Sequence, residues 1–330
     1  MLQRLTECPL QKLTINGRTY AFRLDGDDKS STTSPLCIPL HGMFIDERCW
    51  ILPHKPKNVR LLLLTRPGYS SSDDNDATYT YERLAHDILN LVDEIFQDAP
   101  AFHILGHSSG GPCALAMKAV LPKDRVLKCI LLESDAEYYH SSPNVKQPKM
   151  WLEEIRPNAG CCGRCCGGCC FICMSRWICC LLNCCGRQKP AAFLKGEPKS
   201  CQEMLAQDST MDETLRHDWI ENAVLIPISD ATQYGRRSTG YYYDAWIEAK
   251  PWTFKSELDD DKQKDVEIYV GGLGTEITEV HAQHILHTSS PGAKVIEEPE
   301  MNHMAFLFPS FMNTLYERLS AIQVSQVQVD

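Results

Sequence analysis

The sequence predicts an α/β fold in which a mostly parallel, eight-stranded sheet carries helices on both faces and is interrupted by one long insertion. Short apolar runs alternate with helical periodicity up to residue 135 and again from residue 264, and that alternation breaks between 136 and 263. The 330 residues are 43% hydrophobic and 23% charged, a globular balance in a chain long enough to bury an enzymatic core.

Strands are expected at 12–15, 19–24, 36–40, 60–64, 101–105 and 126–132, several of them short and apolar as buried parallel strands are. Between them, 81–96 places Leu84, Ile88, Leu91, Val92 and Ile95 at helical spacing, and 112–121 reads as a second apolar helix. After the insertion a strand at 266–270, a helix at 279–288, a strand at 294–297 and a closing helix at 304–322 are expected. The organisation is a first core part at 1–135, an inserted cap at 136–263 and a second core part at 264–330.

The formal net charge of −10 offers no broad cationic face for phosphate backbones, so nucleic acid is excluded as a partner. Residues 1–17 mix Arg4, Glu7 and Lys12 among apolar residues and lack the uninterrupted apolar core of a secretory signal, which makes a cytoplasmic location the expectation.

Gly106-His107-Ser108-Ser109-Gly110 has the nucleophile-elbow pattern: small residues let the chain turn sharply from strand to helix while the central serine projects its hydroxyl. An apolar strand ends at this pentapeptide and a small-residue helix leaves it. His41-Gly42-Met43 follows the run 36–40, where a strand-end loop can direct a backbone N–H toward an oxyanion, and Met43 and Ser109 are the expected donors. His303 lies between the last strand and the last helix, where a loop can hang an imidazole over the elbow as general base. His281, His284 and His287 recur every third residue on one expected helix and read as surface side chains rather than a metal face.

In this order, His41-Gly42, Arg66-Pro67-Gly68-Tyr69, the elbow and His303 resemble the α/β-hydrolase superfamily of serine esterases and lipases over about 12–135 and 264–323. The resemblance implies an α/β-hydrolase fold with a lid and a triad that needs no cofactor. Members usually carry an aspartate just beyond the strand that resumes after the cap, but here the segment 271–278 has only Glu276 as a carboxylate. Glu276 is therefore the expected acid. Asp135, after the sixth strand, is the rival, because some lipases of the superfamily take their acid from that strand end.

The insertion holds eleven cysteines between Cys161 and Cys185, and 155–196 has four Arg and two Lys with no Asp or Glu, so a +6 segment interrupts a remainder of −16. That inversion is a membrane-surface signal, and cysteines beside aromatic and basic residues are S-acylation candidates. A transmembrane span is disfavoured by Arg176 and Asn183. Cys162, Cys165, Cys166 and Cys169 have ligand-like gaps for a soft metal but lack the spacer between pairs, and a low-complexity loop without a dedicated role is the bland alternative.

Together these features predict a serine hydrolase cleaving a carboxylic ester or thioester of an apolar acyl substrate, with Ser108 as nucleophile and His303 as base. Alternatives are a non-catalytic ligand-binding relative, a carbon–carbon bond hydrolase and a membrane-anchored interaction protein. The oligomeric state is not readable from the sequence.

Overall fold

The computed structural model describes residues 2–43, 45–73, 78–137, 205, 208–227, 240, 244, 247–248, 251–273 and 276–327. The cysteine-rich segment 161–185, the lid expected there and most of the insertion lie outside the described residues.

Strands β1 (Gln11–Ile15), β2 (Arg18–Gly26), β3 (Leu36–Leu40), β4 (Arg60–Thr65), β5 (Phe102–His107), β6 (Val126–Leu132), β7 (Val266–Gly271) and β8 (Lys294–Glu298) form one sheet in the order β1-β2-β4-β3-β5-β6-β7-β8. Strand β2 runs antiparallel to both its neighbours and every other pair is parallel. The eight expected runs are all strands, and β5 extends two residues past the expected end, as far as His107.

Helices α1 (Leu2–Glu7), α2 (Tyr81–Ile95), α3 (Gly110–Val120), α4 (Glu213–Trp219), α5 (Asp260–Gln263), α6 (Glu276–Thr288) and α7 (Pro309–Val327) surround the sheet. Helix α2 starts where the Thr80 hydroxyl accepts the Arg83 N–H at 3.1 Å. Its Leu84, Ile88, Leu91 and Val92 are buried, the spacing of one helical stripe. The closing helix begins later than expected, at Pro309, because 305–307 forms a separate 3-10 turn. Among the described residues no helix is long and apolar enough to cross a membrane.

The central strands are apolar on both faces because helices cover both. Leu62 and Leu64 of β4, Ile104 of β5 and Leu131 of β6 pack with α2, α3 and α6. Their alternates Leu61, Leu63, Leu105, Ile130 and Leu132 pack on the opposite face with Trp219 of α4, and with Met312, Leu315 and Leu319 of α7. Parallel strands aligned in this way bring all their carboxyl ends to one edge, where the loops meet.

One core histidine makes the fold pH-sensitive. His103 on β5 is buried with neither ring nitrogen bonded, and burial, with Lys128, Lys118 and Arg318 nearby, pulls its pKa down from 6.5 to about 4. The unfolded chain binds this proton first as pH falls, so the contribution is intact above the ordinary histidine range and is lost between about pH 6.5 and 4. Urea denaturation should show stability falling between pH 7.5 and 5. In His103→Leu that fall should be smaller by about 2 kcal/mol; an unchanged pH slope would remove His103 from the account.

Candidate active site

Strand β5 ends at His107 and α3 begins at Gly110, so only Ser108 and Ser109 make the turn. A turn this tight forces Ser108 into the left-handed region at φ 52°, a conformation that costs a non-glycine residue roughly 1–3 kcal/mol. Small neighbours are obligatory, since a Cβ on Gly106 would stand 2.4 Å from the Gly110 carbonyl oxygen. The strained residue is held by three backbone bonds: its N–H donates to Leu132 at 3.1 Å, and its carbonyl accepts from Gly111 at 2.8 Å and Asp135 at 3.2 Å.

His303 lies between β8 and α7 with its side chain 36% exposed. Its Nδ1 is 3.6 Å from Oε2 of Glu133, which is fully buried. Glu133 directly follows β6 and is itself left-handed at φ 47°. Its N–H donates to Tyr269 at 3.0 Å, and its Oε1 accepts the Gly271 N–H. One carboxylate oxygen is thus anchored to β7 while the other faces the imidazole. The separation is longer than a hydrogen bond.

Glu133 is the residue that sequence reading missed. Of the two expected acids, Asp135 turns to α6, with Oδ1 3.7 Å from Nδ1 of His281. Glu276 opens α6, and its side chain lies outside the described residues. The available signal was a carboxylate abutting the apolar run 126–132 without a spacer, in the same string as Asp135.

His281 and His284 are buried, which corrects the expectation of surface side chains; His287 is exposed. The α6 face carrying them packs on the loop after β6, where His284 Nε2 stands 3.8 Å from Glu137 Oε2. Burial lowers the His281 pKa. The helix sequence alone contains no sign of that covering loop. Among the described residues no group of three metal-binding side chains occurs, and the four cysteines considered for a soft metal lie outside them.

The loop after β3 is locked beside the elbow. Backbone N–H of Arg66 donates to His41 Nε2 at 3.0 Å, so Nδ1 carries the proton and donates to the Gly42 carbonyl at 2.8 Å. Burial, with Arg66 adjacent, holds the His41 pKa well below 6.5 and keeps this one tautomer. A trans peptide turns its N–H opposite to its C=O, so the Met43 N–H points away from the His41 ring. Gly42 meanwhile lies so close that a Cβ there would be 2.9 Å from Ser108 Cβ. Ser109, the other expected donor, occupies the cap of α3, where the helix dipole is positive.

Arg66 joins these parts. Its Nε donates to the His41 carbonyl at 2.8 Å, Nη2 to Ser109 Oγ at 2.9 Å and Nη1 to Asp244 Oδ1 at 2.9 Å. Tyr69 donates to the same carboxylate at 2.5 Å, and its ring lies 5.0 Å from the guanidinium carbon. Burial is the largest single influence and opposes the Arg66 charge, but the Asp244 carboxylate together with Tyr69, Cys113 and Tyr79 outweighs it and lifts the guanidinium pKa well above its usual value.

A family model described as the alpha/beta hydrolase family matches residues 40–312. No curated protein matches the chain. Among solved structures it is similar to a hydrolase from Pseudomonas aeruginosa at 17% identity and TM-score 0.55, covering 94% of this chain and 98% of that one. An esterase from Exiguobacterium antarcticum is similar at 18% identity and TM-score 0.57, covering 96% and 99%. A carboxylesterase structure from the thaumarchaeon Nitrososphaera gargenis is similar at 14% identity and TM-score 0.57, covering 96% and 100%. At these identities the likeness is one of fold.

Removing one partner of a buried ion pair strands the other charge. Asp244→Asn should therefore lower stability by about 3 kcal/mol in urea denaturation. A change under about 0.5 kcal/mol would mean that the Arg66 charge is compensated in another way.

Proposed function

The chain belongs to the alpha/beta hydrolase family, and on that premise we propose that it is a serine hydrolase, cleaving a carboxylic ester or thioester through an acyl-enzyme on Ser108. The observation that carries the reading is the His303–Glu133 pair, 3.6 Å apart, beside a serine strained into an elbow at φ 52°.

With Nδ1 facing Glu133, His303 Nε2 is the basic atom. It takes the Ser108 proton as Oγ attacks the carbonyl carbon, and Glu133 stabilises the imidazolium that forms. Amide N–H groups of Met43 and Ser109 hold the oxyanion. His303 then gives its proton to the departing alcohol or thiol, and water repeats the sequence on the acyl-enzyme. No step calls on a cofactor. The non-catalytic reading rests on a His303 with no carboxylate in hydrogen-bond reach; Glu133 Oε2 stands 3.6 Å from Nδ1, just beyond that reach, and a small closure on substrate binding brings it in.

The proposal extends to an apolar acyl substrate and a cytoplasmic protein attached peripherally to a membrane through 161–185. Its support is the +6 charge of 155–196 in a chain of −10 and the clustering of eleven cysteines there.

A fluorophosphonate probe should label the wild type and leave Ser108→Ala unlabelled. With p-nitrophenyl esters of increasing acyl length, Glu133→Gln should lower kcat by roughly 10³- to 10⁴-fold, while Glu276→Gln and Asp135→Asn retain most of the rate. Loss of rate in Glu276→Gln alone would move the acid to that position. A well-folded wild type that neither labels nor turns over any ester would end the hydrolase reading.

A further inference from the structure

The elbow pattern demands nothing of the residue between Gly106 and Ser108, yet a histidine stands there and is buried. Its Nε2 lies 2.8 Å from the backbone carbonyl oxygen of His303. A carbonyl can only accept, so Nε2 carries the proton. The two imidazole rings are in contact, with centroids 4.6 Å apart and planes tilted by 45°. Trp50 meets the His107 ring edge-on at 6.4 Å. On the other side, a Cβ on Gly42 would come within 3.3 Å of Nδ1, so the ring is confined between the oxyanion loop and the base.

We propose that His107 is a positioning residue for the general base: its Nε2–H holds the His303 carbonyl, and its ring supports the His303 ring. This rests on the reading of Ser108 and His303 as nucleophile and base. The link is short in structure and long in sequence. His107 is bonded covalently to Ser108, so one hydrogen bond across 196 residues ties the backbone of the base to the backbone of the nucleophile. His303 has need of such a tie, because its side chain is 36% exposed and its contact with Glu133 is 3.6 Å.

Electrostatics suit the role. Burial first, and then the neighbouring His303, lower the His107 pKa to about 3. The ring therefore stays neutral at working pH and keeps its proton on Nε2. A neutral neighbour also adds no repulsion when His303 becomes an imidazolium.

His107→Phe keeps an aromatic ring but loses the donor, whereas the amide nitrogen of His107→Gln reaches about as far as imidazole Nε2. The amide nitrogen of His107→Asn reaches only as far as Nδ1. With ester turnover as readout, His107→Phe and His107→Asn should lose about 10- to 100-fold in kcat with KM within about 2-fold, as expected for a misplaced base. His107→Gln should recover to within about 3-fold of the wild type. A folded His107→Gln as impaired as His107→Phe, or KM rising in step with the loss of kcat, would overturn the proposal.

In ¹⁵N-histidine-labelled wild type, a slowly exchanging ring N–H that disappears in His107→Gln should report the bond without any turnover. Absence of that signal would overturn the proposal whatever the assay gives. If the signal is present but the wild type neither labels nor turns over, the hydrolase reading falls and the positioning role falls with it. The bond to His303 then stands as a structural clamp only.

Discussion

The buried Arg66 guanidinium is the constraint on which the arrangement of the site depends. It sits where three distant parts of the chain converge on its own loop: the loop after β3 through His41, the start of α3 through Ser109, and residue Asp244, with the Tyr69 ring of its own loop against the guanidinium. A charge with no exposed surface has to be surrounded by acceptors, so burying Arg66 compels these parts to keep their spacing. The bond to the His41 carbonyl fixes the loop carrying Gly42 and Met43, and the bond to Ser109 Oγ fixes the start of α3. The two groups proposed to hold an oxyanion are referenced to one cation that is itself neutralised by Asp244.

A second constraint is local strain, and it falls on two residues of the proposed triad. Ser108 and Glu133 both have positive φ without being glycines. Both positions immediately follow parallel strands, where the chain leaves a hydrogen-bonded ladder and must turn within one residue. The ladder supplies the compensation: Ser108 N–H bonds to Leu132 and Glu133 N–H to Tyr269, each on the neighbouring strand. Because β5, β6 and β7 are adjacent, these turns lie side by side, and Glu133 meets the Gly271 amide on one side and His303 on the other.

Legibility followed range of interaction. The runs that became β3, β4 and β6 were readable because strands covered on both faces are apolar at nearly every position, a property of the run itself. Helix α2 was readable because Leu84, Ile88, Leu91 and Val92 state its buried stripe directly. His281 and His284 were misread because their burial is conferred by the loop after β6, more than a hundred residues away. Glu133 was passed over for the same reason. Its partner Gly271 and the imidazole it faces come from β7 and the loop after β8, and the one local difference from Asp135, direct attachment to the apolar run, does not say which carboxylate meets the imidazole.

The sequence by itself determined the alternation of strands and helices, the tight turn at Ser108 and the place of His303 after the last strand. Each of these is encoded by contiguous residues through periodicity, small side chains at the turn and chain order. Only the tertiary structure decided which carboxylate meets His303, which face of α6 is covered and which loops Arg66 binds together. Those outcomes depend on distances between side chains far apart in the chain, and such distances exist only once the sheet has set its strands in register.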